Sequence, residues 1–159
     1  MEQKALAQWL KFILIGVGIC GLIVYFLVLP SLGESIIADY PEFEYRFWPW
    51  LVFLWATVVP CYAALFFGWR IAVNIGADRS FIPENADHLK KISWLAVDDS
   101  VYLFLGNLIF LFTGMSHPGM TLFSLLVVFA GIAVTVASAT LSHLVKKAAG
   151  LQEQSDLTI

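Results

Sequence analysis

Charge is what this sequence has least of. Asp, Glu, Lys and Arg together make up 13% of its residues, about half the share found in soluble domains. None falls between 12 and 29 or between 47 and 69. Uncharged runs of that length exclude an ordinary water-facing surface. Cysteine is nearly as scarce. Cys20 and Cys61 each lie inside an apolar run, which excludes a disulfide framework and reads as two buried free thiols. Histidine occurs three times, at His88, His117 and His143, on segments too far apart to converge on one metal or serve one nucleophile. No phosphate loop, metal loop or nucleophile–base pattern is present. The sequence therefore predicts no enzyme, no catalytic residue, no cofactor, no metal and no direct contact with nucleic acid.

Apolar residues fill the place of charge, at 60% of the chain with a mean hydropathy of +0.81. They gather into four runs, and the expected spans are about 10–29, 47–70, 92–115 and 119–145. Each approaches or exceeds the roughly 20 residues that cross about 30 Å of hydrocarbon. With no water to pair the backbone there, such runs form helices. The expected fold is a single all-α membrane domain of four antiparallel transmembrane helices in the lipid bilayer. The first run exceeds the apolar length of a signal peptide and no cleavage pattern follows Pro30, so it is expected to be retained.

Basic residues set the orientation. Lys4, Lys11, Arg70, Arg79, Lys90, Lys91, Lys146 and Lys147 fall on one side of the spans, and Arg46 alone on the other. By the positive-inside rule both termini and the 70–91 loop are expected in the cytoplasm. That segregation matters more than the net charge of −3.

In chain order, residues 1–11 read as a short amphipathic lead-in. Gly16, Gly18, Cys20 and Gly21 give the first span a narrow face for close helix packing. Residues 30–47 read as the only sizeable outer loop, where Glu34, Asp39, Glu42 and Glu44 alternate with aromatic rings. A solvated rim lying on the headgroups is the plainer account, and a cation-binding surface the alternative. Trp48, Trp50, Trp55 and Trp69 suit an aromatic belt, and Pro60 predicts a kink in mid-span. Pro83 opens a helix that should run unbroken into the third span, with Phe81, Leu89 and Ile92 along an apolar stripe.

The adjacent acids Asp98 and Asp99 enter the membrane about 9 Å beyond Ile92. Intramembrane carboxylates are costly and mark functional sites, although an interfacial pair held by lysine and water is the plainer reading. Neighbours on a helix point about 100° apart, so only one of them is expected to face the bundle. Lys91, Arg70 and His143 are the expected partners. On the fourth span Thr135, Ser138 and Ser142 share a face expected at the depth of Asp98. These hydroxyls either glue helices or, with His143, line a proton or ion path. Asn107 is expected to bond between helices.

Two motifs point further, FIPENADHLKKISW before the third span and the ending GLQEQSDLTI. Phe81, Asn85, Ala86, Leu89, Lys90, Lys91, Ile92 and Trp94 match a pattern that resembles a bacterial family of four-span membrane proteins. That family is defined by a domain of unknown function and has YoaS-like members. The resemblance implies a non-enzymatic sensor or sequestering partner for a cytoplasmic XRE-type helix-turn-helix regulator. The partner-binding candidates are Phe81, Leu89, Lys90, Lys91, Asp156, Leu157, Thr158 and Ile159. The competing reading is a small transporter or channel, working as a homo-oligomer, with Asp98, Asp99, Ser138, Ser142 and His143 as its polar residues.

Overall fold

A computed structural model describes residues 3–116 and 118–157, without the side chain of Asp156. The candidates Thr158 and Ile159, and His117 of the outer turn, lie outside the described residues. Within them every regular element is a helix, and four helices are long and apolar enough to cross a membrane.

The first span is a continuous helix from Gln3 to Asp39, made of α1 (Gln3–Ile23), a π-helical stretch (Val24–Val28) and α2 (Leu29–Asp39). The second joins a 3-10 turn (Pro41–Arg46) to α3 (Phe47–Ala56) and α4 (Val58–Gly76). The third is α5 (Pro83–Phe112) and the fourth α6 (Pro118–Asp156). As expected, α5 runs from Pro83 into the membrane without a break.

The expected outer loop at 30–47 is mostly helix instead. Pro30 does not end the first span, because the helix has already widened before it. The Leu29 amide bonds five residues back to the Val24 carbonyl. In that wider register the proline ring no longer meets the turn beneath it. The chain reverses only at Tyr40, and Pro41 begins the short turn into α3.

The spans pack mainly in chain order, α1 on α4, α4 on α5 and α5 on α6, the last pair most extensively. Polarity inside and outside is inverted relative to a soluble protein. Phe12, Val59, Phe112, Phe123, Leu126 and Phe129 point outward, where lipid tails are as welcoming as a protein core. The buried positions include Thr57, Asn74, Asn85, His88, Ser93, Ser100, Asn107 and Ser138. Small residues permit the close approaches. Gly18 offers its carbonyl to the Tyr62 hydroxyl at 2.6 Å, and a methyl on Gly21 would touch the same oxygen. Gly16 and Cys20 do not share that role, since Gly16 faces open space and Cys20 is exposed.

At the end that carries the termini, one amide network closes the α4–α5 turn. Asn85, only 1% exposed, accepts from the Asn74 amide at 2.8 Å and donates to the carbonyls of Arg79 and Ser80 at 3.0 and 2.9 Å. Arg79 donates back to Asn74 at 3.2 Å. Asp78 takes the left-handed conformation in this turn (φ 63°), which short polar side chains tolerate better than most. Buried amides must be bonded, and this network gives Asn85 of the sequence motif a structural purpose.

Candidate functional site

The two backbone irregularities of the first and second spans meet at the same place. In the π register, Pro30 occupies the position whose N–H would reach the Tyr25 carbonyl, and proline has none to give. The Trp55 indole takes that carbonyl instead, at 2.9 Å across the helix pair. On the second span the helix breaks at Thr57, three residues before Pro60. There the Thr57 hydroxyl turns back to the Leu54 carbonyl at 2.7 Å. Proline 60 thus produces the expected kink, with a buried threonine supporting the loosened turn.

Thr57 then accepts from the Tyr25 hydroxyl at 2.6 Å, because its own proton is already committed to Leu54. Tyr25 also lies 3.6 Å from the Cys61 sulfur. With the tyrosine proton directed at Thr57, the thiol is free to donate to Asp99 Oδ2, at 3.8 Å. Asp99 is half-buried and its Oδ1 is buried without a hydrogen-bond partner. A chain of four side chains from three spans therefore ends on a carboxyl group inside the membrane.

Asp98 is exposed. Both acids line an open cleft between spans two and three, with Ala56, Pro60, Val101 and Tyr102 as its other walls. The Tyr102 ring stacks on Phe53 with centroids 4.8 Å apart, and its hydroxyl donates to the Phe53 carbonyl at 3.2 Å. The cleft can accept a proton or a cation at its two carboxylates, since the Tyr102 hydroxyl beside them gives its proton to a backbone carbonyl.

The expected basic partners are elsewhere. Arg70 pairs with Glu84 at 3.6 Å, and Glu84 also meets His88 at 3.3 Å. Lys91 lies over the Phe67 ring, 5.1 Å from its centroid, and His143 is exposed on α6. A helix surface places residues three and four apart side by side, so Lys91, seven or eight residues away, serves its own turn. Asp99 rests on a thiol.

The hydroxyl face of α6 also lies at a different depth from the one expected. Ser93 donates to the Thr135 carbonyl at 3.0 Å and Ser142 to the Ala86 carbonyl at 2.6 Å. That sets the register of α5 against α6, and it brings Gly131 rather than Ser138 or Ser142 beside Ser100, next to the acid. Thr135 bonds its own helix at the Gly131 carbonyl, and Ser138 is buried closer to the terminal side. Of the three hydroxyls only that of Ser142 joins two helices, and the face lies away from Asp99. Asn107, expected to bond across helices, donates to Leu103 of its own helix at 2.7 Å.

Among the partner-binding candidates Phe81 is 54% exposed, Leu89 half-buried and Lys90 exposed. The stripe is therefore open mainly at Phe81. The ending is not a loose tail. α6 continues to Asp156, ten residues past Lys146, with Leu151 and Leu157 exposed. Sequence reasoning missed Tyr25, Thr57 and Cys61, and two signals for them were present. Both prolines lie one turn or so from these residues, and a polar residue within an apolar run needs a partner.

Residues 31–159 match the family described as protein of unknown function, DUF2975, and the chain belongs to that family. It is similar to the uncharacterized membrane protein YoaS of Bacillus subtilis (strain 168), with 26% identity over 152 residues covering 94% of each chain. No solved structure matches it.

Proposed function

We propose that this is a non-enzymatic protein of the bacterial inner membrane that acts as a sensor or sequestering partner for a cytoplasmic regulator, bound through the face carrying both termini. The observation that carries this reading is the length of α6. A membrane-crossing helix has no need to continue ten residues beyond Lys146, a position that suits the polar edge of the bilayer. Nor has it reason there to present Leu151 and Leu157, the latter 82% exposed. Beyond Ala149, which is still buried, apolar residues on a polar helix end are anchors for a groove. Phe81 is exposed on the same side of the membrane. The resemblance of the sequence supplies the class of partner, an XRE-type helix-turn-helix regulator, and the eight-to-one distribution of basic residues supplies the orientation.

A transporter or channel is the second reading, favoured by the unpartnered oxygen of Asp99. Its weakness is the lack, among the described residues, of polar side chains open for relay beyond the acid. Tyr102 and Asn107 each direct their donors to backbone carbonyls.

The test is co-purification of the regulator from cells. The variant carrying both Leu151→Glu and Leu157→Glu, and a truncation lacking Asp156 to Ile159, should insert normally. Each should recover about tenfold less partner, the effect of losing an anchor of about 1.4 kcal/mol. Unchanged recovery would remove this helix end from the mechanism.

A further inference from the structure

At the end of the molecule opposite the termini, Arg46 is held in an unusual way. Its guanidinium lies over the rings of Phe43 and Tyr45, 5.1 and 4.7 Å from their centroids, and donates to the Gly114 carbonyl in the turn between α5 and α6. Its Nε is buried without an acceptor. The same guanidinium walls a largely apolar cavity with Phe43, Phe47, Trp50, Met115 and Met120. Gly33 forms the back of it, where a side chain would collide with Phe47 and Trp50.

A second cleft adjoins this one and shares Ile37 and Phe47 with it. Its charge is opposite. Glu34, Glu42 and Glu44 line it together with the faces of Tyr45 and Trp48, all exposed. One side of Phe47 therefore offers a fixed cation, and the other offers three carboxylates beside aromatic rings. Neither half alone selects a lipid, since phosphates meet arginine at many membrane surfaces and acidic rims are common. The two halves together match a zwitterion.

We propose that these adjoining clefts bind the head of an aminophospholipid, phosphatidylethanolamine, from the leaflet facing away from the termini. The phosphodiester oxygens bond to the terminal N–H groups of the Arg46 guanidinium. The ammonium lies among Glu34, Glu42 and Glu44 against Tyr45 and Trp48, as hydrogen-bonded ion pairs and cation–π contacts favour. The first chain carbons cover Phe47 and Trp50. The anionic phosphatidylglycerol head would satisfy the arginine but meet the three acids without a positive group.

The experiment is native mass spectrometry of the full chain extracted from vesicles of equal phosphatidylethanolamine and phosphatidylglycerol. The expected result is about fivefold more of the ethanolamine lipid bound, as a few exposed ion pairs would supply. Arg46→Gln should lose both adducts. The Glu42→Gln, Glu44→Gln double variant should keep lipid but bring the ratio close to one. The last variant alters exposed side chains only, so it retains its force if Arg46→Gln fails to assemble. Equal binding of the two lipids by the unaltered protein, retention of adducts by folded Arg46→Gln, or an unchanged ratio in the double variant would each overturn the proposal.

Discussion

Gly131→Leu is expected to prevent the fourth span from seating on the third. A methyl at this position would already overlap the Ser100 hydroxyl, which is buried and tied to the Ala96 carbonyl at 2.7 Å. The serine has no free space to enter. Ser93 to Thr135 and Ser142 to Ala86 fix the helix pair on the terminal side of the contact, so a slide would break both bonds. Overpacking of a tight core costs about 1–3 kcal/mol for small additions and occasionally more, and a leucine adds four carbons. The expected outcome is a loss of about 3 kcal/mol or more of stability, seen as aggregation on extraction or a collapse of the unfolding midpoint in detergent. Gly131→Ala should fall between the two. A fully stable Gly131→Leu protein would mean that α5 and α6 do not approach in this register.

Asp99→Leu should have the opposite effect on stability while altering signalling. An acid in mid-span costs on the order of 2.5–3.5 kcal/mol even on lenient scales. Asp99 offsets little of this, with one long thiol contact and one buried oxygen unbonded. Replacing it with leucine is expected to raise the unfolding midpoint by about 2–8 °C, the shift that 1–2 kcal/mol gives a chain of this size. Regulator recovery should nevertheless change, as expected when a costly group is kept for what it does. Asp98→Leu should move neither quantity by much, since Asp98 is exposed. Equal behaviour of the two variants, both silent, would return the pair to an interfacial role.

The architecture was legible because it depends on composition. Length, apolarity and the positions of Lys and Arg dictate helices across a bilayer whatever the details of packing. Pro83 and the acidic first turn of α5 likewise made its start readable. What was not legible depended on contacts between spans. Pro30 looked like the end of a helix, because a π stretch that absorbs it is written in no local residue preference. The partner of Asp99 was sought among charged residues, but Cys61 reaches it only because Thr57 and Pro60 bend the second span. The depth assigned to Ser138 and Ser142 was off by part of a span, because register follows from where Gly131 and Ser93 allow α5 and α6 to touch. Asn85 was visible as part of a motif, yet its bonds to Asn74, Arg79 and Ser80 needed the folded turn.

Every part of the proposed role requires the extended end of α6 to lie in the cytoplasm. The direct measurement is labelling of single introduced cysteines in intact cells with a membrane-impermeant maleimide. Glu42→Cys, exposed on the turn before α3, should react at once. Ser155→Cys, exposed near the end of α6, should react only after the membrane is opened. Labelling of Ser155→Cys in intact cells would contradict the account, because the apolar helix end would then face away from any cytoplasmic regulator.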